Sequence, residues 1–84
     1  MLYTISFTKQ AFKDLDKINE PFYSNIKQAI INLSVNPRPN GFKKLKGREG
    51  FRIRIGNYRV IYNIIDSELV IEVIALGHRK NIYD

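Results

Sequence analysis

Phe51-Arg52-Ile53-Arg54-Ile55-Gly56-Asn57-Tyr58-Arg59-Val60-Ile61-Tyr62 is the stretch around which the chain is organised. Apolar and basic residues alternate up to a Gly-Asn pair, after which a second β-rich run begins. Alternation with period two marks a half-buried strand, and two such runs joined by Gly56-Asn57 read as a β-hairpin. Side chains two apart in a strand share a face. Arg52 and Arg54 therefore stand together, while Phe51, Ile53 and Ile55 point to a core. With Gly56 and Asn57 as the loop, Ile55 faces Tyr58, Arg54 faces Arg59 and Ile53 faces Val60. Two arginines opposite each other repel. An anion between them reverses that sign, because the guanidinium fork matches phosphate or carboxylate. A basic face simply splayed into water is the competing interpretation.

The rest of the composition narrows the class. The sequence has 84 residues, 44% of them hydrophobic, and no cysteine. One folded domain over residues 1–84 is expected, with a modest core. Disulfide scaffolds and thiolate metal sites are excluded. Met1-Leu2-Tyr3-Thr4-Ile5 does not have the form of a signal peptide, and the apolar runs are too short to span a bilayer, so no membrane association and a cytoplasmic location are expected. The net charge of +6 points to phosphate polymers, anionic membranes or acidic proteins as partners. Basic residues concentrate between Lys43 and Arg59 and again at Arg79-Lys80.

Ahead of the hairpin, Tyr3 to Phe7 alternates as a first strand, and Thr8 is a candidate N-cap. Ala11, Phe12, Leu15 and Ile18 then recur at helical spacing. Pro21 suits the first position of a second helix, whose stripe is Phe22, Ile26, Ala29, Ile30 and Leu33. That helix ends before Pro37. Residues 37–50 are rich in Pro and Gly and read as a long irregular loop, pinned by Phe42 and Leu45, with Lys43, Lys44, Lys46 and Arg48 outward. Loops of this length in compact domains are often functional. After the hairpin, Asp66-Ser67-Glu68 makes a turn into the nearly all-apolar run Leu69 to Leu76. A two-residue turn there puts Glu72, Ile74 and Leu76 on the arginine face; a three-residue turn shifts the register, and the sequence leaves both open. The expected fold is α+β, in the order βααβββ. A two-helix hairpin packs on a mainly antiparallel four-stranded sheet.

The acids Asp14, Asp16, Glu20, Glu49, Asp66, Glu68, Glu72 and Asp84 are scattered without the convergence of a metal site, and no phosphate-binding glycine loop or nucleophile elbow is present. No cofactor is expected. What remains is a concentration of cations with one histidine and a terminal tyrosine. Such a set suits metal-free RNA cleavage, in which a ribose 2′-OH attacks the adjacent phosphate. The reaction needs a base, an acid and cations on the charged phosphorane. His78 titrates near neutrality and can supply either proton function. Tyr83 can donate a proton or stack on a base. Arg52, Arg54, Arg59 and Arg79 can clamp the phosphate.

The segments Lys44-Leu45-Lys46-Gly47, Gly56-Asn57-Tyr58-Arg59-Val60-Ile61-Tyr62 and Gly77-His78-Arg79-Lys80-Asn81-Ile82-Tyr83 resemble the RelE/ParE superfamily of bacterial toxin–antitoxin toxins, and the resemblance spans essentially the whole chain. It implies a RelE-like toxin neutralised by a cognate antitoxin. For the RelE branch it implies cleavage of mRNA on the ribosome, leaving 2′,3′-cyclic phosphate ends. It assigns catalytic positions to Arg59, His78, Arg79 and Tyr83. It assigns phosphate or RNA binding to Arg52 and Arg54, with Lys43, Lys44 and Lys46 alongside. Related ribonucleases often carry lysine where this chain has Arg52 and Arg54. Arginine stays protonated, so proton transfer is expected from His78 or Tyr83. The ParE branch shares the hairpin strand and implies instead an inhibitor of DNA gyrase without nuclease activity. A third expectation is an inactive toxin-fold binding module.

Overall fold

The computed structural model describes residues 2–78. Strand β1 (Thr4–Phe7) leads into helix α1 (Lys9–Asp16), followed by α2 (Phe22–Leu33). Strands β2 (Lys43–Lys44), β3 (Phe51–Ile55), β4 (Tyr58–Ile65) and β5 (Val70–His78) complete the fold. The sheet order is β1-β5-β4-β3-β2, with β1 parallel to β5 and every other pairing antiparallel. The sheet thus has five strands where four were expected. The extra one is Lys43–Lys44, which pairs with Arg52 and Phe51 inside the segment read as irregular. Two residues between a Pro/Gly-rich loop and a turn leave no periodicity to detect. No helix among the described residues is long and apolar enough to cross a membrane.

Both helices cover one face of the sheet. The shared core joins Ala11 of α1 and Ile26, Ile30 and Leu33 of α2 to Ile53, Val60, Tyr62, Ile71, Val73 and Leu76. Each fully buried Ile or Leu here contributes roughly 1.5–3 kcal/mol of transfer free energy. Tyr62 carries a hydroxyl into this core and donates it to the Pro37 carbonyl at 2.7 Å, while burial pushes its pKa up to about 12. Leu45 is buried and Phe42 packs against Phe51, so both pin the loop as expected. Gly50 (φ 117°) is required: an added Cβ would meet a Leu45 methyl and the Tyr62 carbonyl oxygen at 3.3 Å. Two details of the helices differ from expectation. Pro21 is the N-cap of α2 rather than its first residue. Phe12 is 61% exposed, because α1 ends at Asp16 and turns only the Ala11 side inward.

The turn between β4 and β5 is a 3-10 segment over Asp66–Glu68, with Leu69 left-handed at φ 54°. Ile65 pairs with Val70, Ile64 with Ile71, Asn63 with Glu72 and Tyr62 with Val73. The ladder then slips. Ile61 pairs with Ala75, so Ile74 is an extra residue in β5, and Val60 pairs with Leu76. A one-residue bulge exchanges the faces of everything beyond it. Leu76 therefore enters the core at 2% exposure instead of joining the arginines, while Ala75 and Gly77 take the other face. Two α1-side groups hold the bulge. The Thr8 hydroxyl accepts from the Ala11 amide at the helix start and donates to the Ile74 carbonyl at 2.7 Å. The Leu76 amide donates to Asp14 at 3.3 Å.

Candidate nucleic-acid interface

The β3–β4 hairpin has the expected register: Ile55 opposite Tyr58, Arg54 opposite Arg59, Ile53 opposite Val60. Gly56 takes φ 59° in the turn, a left-handed conformation that favours glycine. Extending the pairings across the sheet gives two rows on the face away from the helices. One row runs Lys43, Arg52, Ile61, Ala75, and the next runs Arg54, Arg59, Gly77. The β5 members of both rows are the smallest side chains available. Beside Arg59 the row ends on half-buried Gly77, which projects no side chain.

The three hairpin arginines differ in environment. Arg52 is buried at 3% exposure, Arg59 is half-buried and Arg54 is exposed. A buried guanidinium is held in place and poorly screened, so Arg52 is not a solvated surface charge. Between Arg54 and Arg59, at the hairpin end, lies a recess of about 60 Å³ lined by Arg54, Gly56, Asn57, Tyr58 and Arg59. It offers guanidinium groups and turn backbone to something the size of a small anion.

The remaining predicted residues separate. Lys43 joins the clamp face through its pairing with Arg52, whereas Lys44, opposite Phe51, alternates to the other side. Both are exposed, as is Lys46 in the turn beyond β2. His78 is opposite Tyr58, in the row with Ile55, and its ring meets the Tyr58 ring edge-on at 5.6 Å. That row lies on the helix side, next to a hollow lined by Gln10, Asp14, Lys17 and Ile18 of the α1 region. His78 and the arginines thus occupy opposite faces of the sheet. Arg79 and Tyr83 lie outside the described residues. Sequence reasoning missed Ala75, Gly77 and Asp14. The signal for the first two was two small residues spaced by two at the end of an apolar strand.

A second polar group joins distant parts of the chain away from this face. Tyr3 donates to Asp66 at 2.6 Å and Arg38 to the other Asp66 oxygen at 2.9 Å. The Tyr3 hydrogen bond, then that of Arg38, lowers the Asp66 pKa, and the same contact with Asp66 raises that of Tyr3. Arg38 and Asp66 are exposed and Tyr3 is half-buried against the core, and together they tie β1, the loop after α2 and the β4–β5 turn.

Two helices on one face of a five-stranded sheet, with a cationic opposite face, define the architecture of the RelE-like toxins, and solved structures match it over nearly the whole chain. The RelE–RelB complex of Pyrococcus horikoshii aligns at TM-score 0.83 and 28% identity, covering 98% of this chain and 100% of the other. The RelBE2 toxin–antitoxin complex of Mycobacterium tuberculosis aligns at TM-score 0.81 and 30% identity, covering 94% and 100%. This chain belongs to the family described as the ParE toxin of the type II toxin–antitoxin system parDE, whose model matches residues 5–83. Among curated relatives it is 32% identical to toxin RelG of Mycobacterium tuberculosis over 85 aligned positions, with 99% of this chain and 98% of that one covered. It is also 28% identical to the mRNA interferase toxin RelE of Escherichia coli over 83, with 95% and 86% covered.

Proposed function

We propose that the chain is the toxin of a type II toxin–antitoxin pair. In this reading it is a cytoplasmic, ribosome-dependent mRNA endoribonuclease that works without a metal and leaves 2′,3′-cyclic phosphate ends. The observation that carries the proposal is the Arg54–Arg59 opposition beside buried Arg52, in a row that ends on a glycine, Gly77. A surface that places like charges face to face is stabilised by the anion it receives. Relatives named as mRNA interferases make the phosphate of mRNA the anion of choice. Arg52, Arg54 and Arg59 hold the scissile phosphate and stabilise the phosphorane as negative charge develops. Lys43 extends the track, with Lys44 and Lys46 steering at longer range. Since the arginines stay protonated and His78 faces the helices, Tyr83 is the favoured proton donor, with Arg79 completing the clamp. The neutralising partner is a cognate antitoxin, as in the RelE–RelB complexes that share the fold.

The test is mRNA cleavage on programmed ribosomes. Arg59→Ala should lose activity by about a hundredfold, the usual effect of removing one donor from a developing oxyanion, and Tyr83→Phe should lose activity as well. His78→Ala should change it by less than about tenfold, since proton-transfer roles contribute at least a hundredfold. No cleavage by the unaltered protein, together with inhibition of DNA gyrase supercoiling, would reject the nuclease in favour of the ParE-like alternative.

A further inference from the structure

At the hairpin end three rings form a row that the phosphate clamp does not use. Phe22, the first residue of α2, has its ring centroid 5.3 Å from that of Tyr58, with the planes inclined at 39°. Tyr58 in turn meets His78 edge-on at 5.6 Å. Tyr58 and His78 are half-buried, whereas Phe22 is 48% exposed. The first turn of α2 is fixed by Glu20, whose carboxylate accepts from the Ser24 amide at 2.9 Å and from the Ser24 hydroxyl at 2.6 Å. Phe22 is thus presented from an anchored helix start and backed by a tyrosine that packs on the core.

A half-exposed phenyl ring is commonplace on its own. What distinguishes this one is its continuity with the cations. Tyr58, the middle ring of the row, also lines the recess between Arg54 and Arg59. Cations beside aromatic rings are the combination that holds single-stranded nucleic acid: the cations take the backbone and the rings take the bases, whatever their identity. We propose that Phe22, backed by Tyr58, is a stacking shelf for a nucleobase next to the phosphate held by Arg54 and Arg59. The strand crosses the hairpin end, from the arginine face towards the start of α2. The inference rests on the nuclease reading for the identity of the polymer, and it gives Phe22 a part in binding and none in proton transfer. A peptide is the weaker occupant, since it would need a carboxylate and an apolar group at one fixed spacing, whereas every nucleotide carries both an anion and a ring.

The probe is a 2′-O-methyl adenosine trinucleotide, uncleavable because its nucleophile is blocked, compared with the same backbone without bases. Titrated into the full chain and followed by NMR, the adenosine trimer should bind about tenfold more tightly than the abasic one and should move the Phe22 ring signals upfield. Phe22→Leu, which keeps an apolar side chain at the start of α2, should bring that preference close to one, and Phe22→Tyr should preserve it. Equal affinity of the two trimers, a preference that survives Phe22→Leu, or a larger displacement of the Phe22 signals by a capped Glu-Leu-Glu peptide would overturn the proposal. Cleavage of mRNA on programmed ribosomes is read alongside. Cleavage without a base preference rejects the shelf alone; a preference that depends on Phe22, without cleavage, upholds the shelf and rejects the nuclease alone.

Discussion

Arg54 and Arg59 stand directly opposite each other on adjacent strands. Like charges directly opposite on adjacent strands are unfavourable by a few tenths of a kcal/mol to about 1 kcal/mol, and Arg54 is exposed enough for salt to screen part of that. Arg54→Gln should therefore leave the protein equally or slightly more stable to urea at low salt, while weakening RNA binding. A clear loss of stability would mean that the guanidinium is held by a structural contact and is not poised for a ligand. The opposition itself was legible in the sequence, because Gly56-Asn57 admits one tight register. The burial of Arg52 was not. Alternation assigns a residue to a face, but burial depends on neighbours from other strands, and one of these, Ile61, comes from β4.

At the scale of elements, the bulge in β5 decides what surrounds the clamp. It was not legible because Ile74 sits in an unbroken apolar run with no glycine to mark the slip. Its cause lies elsewhere in the chain, in the hydroxyl of Thr8 and the carboxylate of Asp14. The sequence did identify Thr8 as a cap, but a hydroxyl can accept and donate at once, and only the fold shows the second bond. Thr8→Val keeps the shape and removes both bonds. It should destabilise the protein by about 1–3 kcal/mol and speed amide exchange at Ala75 and Leu76, with Thr8→Ser restoring most of each. Unchanged exchange at those amides would show that the bulge does not depend on Thr8.

Across the whole molecule, the helices spend their apolar faces on one side of the sheet, while Lys43, Arg52, Arg54 and Arg59 share the other and give that face of a chain of net charge +6 a positive field. With Lys43, Arg52, Arg54 and Arg59 each neutralising one phosphate, the affinity for a single-stranded RNA should fall with salt at a log–log slope of about −3. Fluorescence anisotropy over a salt series measures it, and a flat response would remove this face from RNA binding. The separation of faces was legible from the helical stripes and the strand alternation. The crossing of His78 to the helix side was not, because it follows from the same slip in β5.

That slip makes β5 a strand read in two phases. Without the slip, the same residues in an unbroken ladder would bring Leu76 and His78 out beside the arginines and turn Ala75 and Gly77 inward. A histidine would then stand next to the clamp and the core would lose a leucine. Whether a histidine borders the arginines on this scaffold is therefore decided by whether Ile74 is held out of the ladder, as the Thr8 bond to its carbonyl holds it.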